Sequence, residues 1–198
     1  MKSVAKLVVI ALVFCLAYST SALAENRGGA TTLTPMVGYQ MFDSDLELDD
    51  AASYGFGIGY NITPEVGVEF DLHYTPTEPE DYSSVDVDVW TFGMSGLYYF
   101  QPSADLNPYL AAGIGGVVYQ VDGSRSDDED YMLYWGGGFK YAVSENSALR
   151  LDLRHVFDRR ADNKFSGDSD GSDWANHVIA SVGMTFQFGG YSSKSLAK

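Results

Sequence analysis

A single cysteine, Cys15, is the whole thiol complement of the chain, and it sits inside an apolar run near the N-terminus, residues 7–17. Removed with that segment, it leaves a chain with no disulfide, no thiolate metal site and no cysteine nucleophile. Small secreted domains commonly staple themselves with disulfides, so stability must come from elsewhere, as it does in proteins built on a closed sheet. Basic residues are also scarce, 12 Lys and Arg against 27 Asp and Glu, which argues against nucleic acid as a partner because phosphate binding needs a basic patch. Beyond residue 17 there is no long helix-period segment, no heptad pattern and no 18-residue apolar stretch, so neither a coiled coil nor a helical membrane span is expected.

The N-terminus has the form of an export signal. Lys2 and Lys6 precede the apolar run, and Ala22-Leu23-Ala24 places small residues where signal peptidase needs them. The run holds 11 residues, short of the roughly 20 that cross a bilayer as a helix. Phe14, just before Cys15, is too bulky for a lipoprotein signal. Residues 1–24 are therefore a predicted signal peptide and the mature chain is expected to start at Glu25. Loss of two lysines leaves 10 basic against 27 acidic residues, a formal −17.

What the mature chain does contain is alternation. In residues 148–157, Leu149, Leu151 and Leu153 alternate with Arg150, Asp152 and Arg154; side chains on a strand point to opposite faces every second residue, so one face is aliphatic and the other charged. Seven further segments alternate or read as strands: residues 32–42, 51–61, 66–74, 85–100, 108–121, 131–143 and 175–188. Each is near or above the length of a tilted strand that crosses hydrocarbon. Short connections (62–65, 101–107, 144–147) alternate with long acidic ones (43–50, 75–84, 122–130, 158–174). Short turns at one end and long loops at the other is the asymmetry of outer-membrane barrels. With Asp86 and Asp88, the four long connections hold 20 of the 27 acidic residues, offset by Arg125, Arg159, Arg160 and Lys164, so that end carries about −16.

The faces point to the same architecture. The second strand sets Tyr54, Phe56, Ile58 and Tyr60 against Ser53, Gly55, Gly57 and Gly59, and the third sets Val66, Val68, Phe70, Leu72 and Tyr74 against Gly67, Glu69, Asp71 and His73. The last alternates Ala180, Val182, Met184, Phe186 and Phe188 with Ser181, Gly183, Thr185 and Gln187. An eight-stranded interior admits a limited side-chain volume, so small residues inside and bulky ones outside describe an inside-out barrel. A soluble, lipocalin-like barrel is the structural rival. Tyr54, Tyr60, Tyr74, Trp90, Tyr99 and Phe100 are candidates for interfacial girdles. In the fourth strand Asp86 and Asp88 share parity with Trp90, Phe92 and Met94, so either the membrane begins near Val89 or a bulge shifts the register; the faces of the fifth strand, rich in Gly and Ala, stay unassigned.

The segments NITPEVGVEFDLHY (61–74) and GGGFKYAVSENSALRLDL (136–153), the pair Pro108-Tyr109 and the closing VGMTFQF (182–188) resemble the N-terminal barrel of the OmpA/OprF family, over about residues 32–188. The resemblance implies an all-β, eight-stranded antiparallel up-and-down transmembrane β-barrel in the bacterial outer membrane, residues 25–188, with a short polar tail at 189–198. In OmpA-type barrels acidic and basic side chains meet in the lumen, and their pairing plugs it or gates a small pore. The matching positions are Glu69 and Arg150, with Asp152 two residues on; Lys140 stands where the family commonly has an acid, and Ser95 or Gly96 stands near the family's fourth-strand lysine. Strand parity also turns Asp71 and Arg154 inward, and a lipid-facing Lys or Arg at mid-membrane costs about 2–4 kcal/mol. These six residues are the expected lumenal charge pairs. Family members often continue into a peptidoglycan-binding domain, for which residues 189–198 are too few, so wall anchoring is not expected. Phe188 matches the terminal aromatic read by the assembly machinery, although ten residues follow it.

The resulting expectation is a monomeric, non-enzymatic barrel with a structural or surface role and acidic extracellular loops, in contact with outer-membrane lipids and lipopolysaccharide and with the assembly machinery during biogenesis. No cofactor is expected. One alternative is a narrow OmpA-like pore gated by the charge pairs, with small water cavities beside the inward glycines of the second strand. Another is loop-mediated adhesion or cation binding: Asp168, Asp170 and Asp173 have a spacing that could wrap Ca²⁺ but lack the bidentate glutamate of an EF-hand, so no metal site is assigned. Enzymatic chemistry would need a histidine beside a serine nucleophile; His177 and Ser181 stand four residues apart on one strand.

Overall fold

Strands with one greasy and one polar face leave no backbone group unsatisfied in lipid only if the sheet closes on itself. The structure is a computed structural model that describes residues 25–42, 48–78, 87–121, 128–159 and 174–191. Its eight strands are β1 (Gly28–Met41), β2 (Ala51–Asn61), β3 (Val66–Thr77), β4 (Val87–Tyr99), β5 (Leu106–Val121), β6 (Asp128–Ser144), β7 (Ser147–Arg159) and β8 (Trp174–Tyr191). Each pairs antiparallel with its sequence neighbours and β8 returns to β1, making a closed barrel. The predicted signal peptide, residues 1–24, lies outside the described residues.

The strand count, order and pairing agree with the alternation in the sequence. β2 has the predicted bounds, β4 is slightly shorter, and the rest run on by up to four residues at one end or both. The largest consequence is at the C-terminal side, where β8 passes Phe188 and takes in three residues assigned to the tail. Gly189 and Gly190 hold φ of 69° and 80°, a region that glycine enters without steric cost. This lets Gly189 and Tyr191 pair with Ala30 and Gly28.

Outward and inward faces follow strand parity. Leu151 is 46% exposed while Arg150 beside it is 0% exposed, so on β7 the leucines meet the surroundings and the charges the lumen. β4 runs without a bulge through its pairing with β3 and β5. Asp88 therefore faces outward beyond Trp90, and its Oδ1 accepts a 2.7 Å hydrogen bond from Tyr74; Asp86 lies outside the described residues. β5 can now be assigned: Tyr109, Ala111 and Val117 turn inward, Leu110 and Ile114 outward. One girdle candidate is corrected. Tyr99 shares parity with Ser95 and Leu97 and is buried in the lumen, whereas Tyr54, Tyr60, Trp90 and Phe100 stay on the outside.

The inward glycines of β2 do not border empty space. A side chain at Gly55 would meet the His73 ring at 2.7 Å, and one at Gly57 the Glu69 carboxyl at 3.2 Å. The absent side chains of β2 are thus replaced by long polar ones from β3, and the predicted water cavities there are filled. Leu151→Arg is expected to lower the free energy of folding into phosphatidylcholine vesicles by about 2–4 kcal/mol, and Leu151→Phe to change it by no more than about 0.5 kcal/mol, in urea titrations. Equal losses would contradict the outward assignment of β7.

Candidate functional site

β3 and β7 stand four places apart in a ring of eight, so their inward side chains meet across the lumen. Parity supplies Glu69, Asp71 and His73 from one wall and Arg150, Asp152 and Arg154 from the other, all buried. The guanidinium of Arg150 is the hub. Its Nη1 lies 2.7 Å from Glu69 Oε2 across the barrel, and its Nη2 lies 2.7 Å from Asp152 Oδ2 on its own strand. Arg154 places Nε 2.6 Å from Asp152 Oδ1, with Nη2 and Nη1 each 3.5 Å from Glu69 and Asp71.

Tyrosines and a serine complete the shell. Tyr109 accepts from Arg150 Nε at 2.8 Å and donates to Asp152. Ser95 and Tyr134 donate to Asp71 at 3.3 and 3.4 Å, and the rings of Tyr109 and Tyr134 lie under the guanidinium groups of Arg150 and Arg154. Tyr134 fits because Gly93 and Gly113 leave room: a side chain at either would come within 2.6 Å of its ring. Arg150 and Asp152 are held by several short contacts, the condition under which a desolvated ion pair is tolerated; Glu69 has one such contact, to Arg150, and Asp71 is held only at 3.3–3.5 Å.

The cluster is enclosed from both ends. Toward the long loops lies an apolar layer of Val87, Val89, Val117, Met132, Val156 and Ile179, with Phe42 and Leu48 packed against it. Toward the short turns, residues 25–27 lie across the opening. Asn26 Nδ2 donates to Pro64 O at 2.6 Å and its backbone N–H to Pro102 O at 2.7 Å. Arg27 reaches Asn146 at 2.8 Å, and Gln187 Nε2 donates to Glu25 O at 3.0 Å. This strap ties together all three short turns and β8. A cavity of about 20 Å³ borders Asp71, His73 and Arg154, and one of about 30 Å³ lies at the turn end beside Lys140 and the strap, volumes on the scale of one or two waters.

Of the six lumenal charges expected, five form this one network. Lys140 stands apart: among the described residues it makes no ion pair, and instead donates to the Tyr99 hydroxyl at 2.7 Å with its ammonium 4.4 Å from that ring's centre. Ser95, one of the fourth-strand positions considered for a lysine, bonds Asp71. Asp168, Asp170 and Asp173 lie outside the described residues; no cluster of metal-ligating side chains occurs among those described. Tyr99, Tyr109, Tyr134 and His73 were not anticipated as part of the site, yet parity would have found them. Tyr134 lies six residues before Lys140 on one strand, and Tyr99 four after Ser95.

The profile of the outer membrane protein beta-barrel domain family matches residues 9–186. Among solved structures, Neisserial surface protein A is 22% identical with a TM-score of 0.61, covering 81% of this chain and 99% of its own. The N-terminal β-barrel domain of Pseudomonas aeruginosa OprF is 21% identical at 0.53, covering 82% and 99%. OprG from the same organism is 11% identical at 0.54, covering 84% and 99%. At such identities the likeness is one of fold. No curated protein matches the chain. Arg150→Met, which takes from Glu69 its one short cation contact and leaves Glu69 and Asp152 to Arg154 alone, is expected to cost about 3 kcal/mol of stability in urea titrations. Lys140→Met strands no carboxylate and should cost less; the reverse order would contradict the placement of the hub.

Proposed function

The chain belongs to the outer membrane protein beta-barrel domain family and is a bacterial outer-membrane β-barrel; from that premise we propose that it acts through its surface, without enzymatic chemistry and without conducting solutes. In this reading the four long acidic connections face outside the cell and the lumen is a structural core. The observation that carries it is the guanidinium of Arg150, wholly buried and held by carboxylates from two strands. Eight strands leave an interior just wide enough for side chains, and here the middle is occupied by charges that hold one another. Breaking a buried pair by losing one partner costs about 3–5 kcal/mol. Opening a path would require Arg150 to give up its 2.7 Å contact with Glu69 in a buried site, which weighs against the narrow-pore alternative.

The non-enzymatic part of the reading is supported by the histidines. His177 and Ser181 are separated by about 13 Å of strand, and His177 lies against Tyr119, 3.3 Å away, and Phe42. Loop-mediated adhesion stays within this proposal, since a loop end near −16 favours cationic partners. Planar-bilayer recordings of the refolded chain are expected to show no discrete conductance steps. Reproducible steps that Arg150→Met alters in amplitude or frequency would overturn the proposal in favour of a gated pore.

A further inference from the structure

The outward faces of the strands are almost wholly apolar, and one exception is His155. On β7 it follows Leu149, Leu151 and Leu153 on the same face, about 13 Å of strand from the loop end at Arg159. That is near the loop-side rim of an apolar band some 25 Å tall. Its neighbours across the sheet are Trp135 and Val178. The imidazole is held by rings, with its centre 4.2 Å from that of Phe157 and 6.0 Å from that of Trp135. Among the described residues no hydrogen bond reaches it, and among those whose side chains are described it is the only basic residue on the outward face.

An imidazole always carries at least one N–H donor. In lipid, an unsatisfied donor costs several kcal/mol, and at the rim of the apolar band the available acceptors are headgroup oxygens. Phosphate is the strongest of these, because hydrogen bonds to ionised acceptors are roughly twice as strong as neutral ones. The charge pattern favours this side of the barrel. Each long connection, taken with Asp86 and Asp88, has five acidic residues, but the one after β7 has three basic ones and is near −2, and the one before β6 is near −4. The β6–β7 face between them is flanked by about −6, against about −9 for β4–β5 and −10 for β2–β3, so an anionic lipid is repelled less here than there.

We propose that His155, clasped by Trp135 and Phe157, donates a hydrogen bond to a phosphate of an outer-leaflet glycolipid, making this face of β6–β7 a lipid-docking site. The proposal rests on the reading that the long connections face outside. It is tested on the refolded full chain in detergent, by native mass spectrometry with diphosphorylated lipid A and with the same lipid stripped of both phosphates. The wild type should prefer the phosphorylated lipid by about tenfold. His155→Leu, which matches the neighbouring lipid-facing leucines, should abolish the preference, and His155→Gln, which restores a donor, should recover part of it. A heat-dependent gel-mobility shift checks that each variant has closed its barrel; should the leucine variant not close, His155→Phe takes its place. Equal binding of the two lipids, or an unaltered preference in the leucine variant, overturns the proposal, as does full displacement of lipid by millimolar inorganic phosphate. Labelling of Ser169→Cys on intact cells with a membrane-impermeant maleimide tests the orientation separately: a labelled loop with an unaltered leucine variant sinks the lipid site alone.

Discussion

The guanidinium of Arg150, gripped on one side by Glu69 and on the other by Asp152, is the contact around which the interior is arranged. A cation with no exposed surface is tolerable only with excellent geometry and with its remaining protons satisfied. That demand reaches outward through the structure. Tyr109 must approach from β5 to accept from Nε, Gly57 must lack a side chain so that Glu69 can lie over it, and Arg154 must share the remaining acidic oxygens. Because the partners come from opposite walls, the network also braces the barrel across its width. Among the described side chains at mid-barrel, three carboxylates (Glu69, Asp71, Asp152) balance three cations (Arg150, Arg154, Lys140), while the molecule as a whole is strongly acidic.

The two ends of the barrel are closed by different chemistry. At the turn end, a strap of residues 25–27 uses backbone and amide hydrogen bonds, joining loops that no strand pairing connects. At the loop end, an apolar layer lies under Phe42 and Leu48. Among the described residues, a polar strap at one end, an ionic network in the middle and an apolar layer at the other occupy the lumen. Under the proposed function, that packing leaves the activity to the outside of the molecule.

How much of this was legible in the sequence depends on the residue type. Period-two alternation is strong wherever large apolar residues oppose charged or glycine residues, which is why β2, β3 and β7 could be assigned face by face and why Glu69, Arg150, Asp152 and Arg154 could be turned inward. β5 failed because alanine and glycine suit either face. Tyr99 was placed on a girdle since aromatics near strand ends commonly sit there, but an aromatic can also fill a narrow lumen, and only its parity with Ser95 distinguishes the two. The inward glycines of β2 looked like space because a sequence shows what a strand lacks and not what its neighbour sends into the gap. Lys140 is in register with Arg150 on the neighbouring strand, yet its ammonium turns to Tyr99 and not to a carboxylate; strand parity gives the face a side chain takes and not the partner it reaches.

The central claim is that Glu69 and Arg150 are energetically coupled across the lumen. It is tested most directly by a double-mutant cycle on Glu69→Gln and Arg150→Met, with stability measured by urea titration in lipid vesicles. The account predicts a coupling of about 2 kcal/mol or more, the double variant losing much less than the sum of the singles. Losses that add to within about 0.5 kcal/mol would show two independently solvated charges in a watery barrel, and would contradict it.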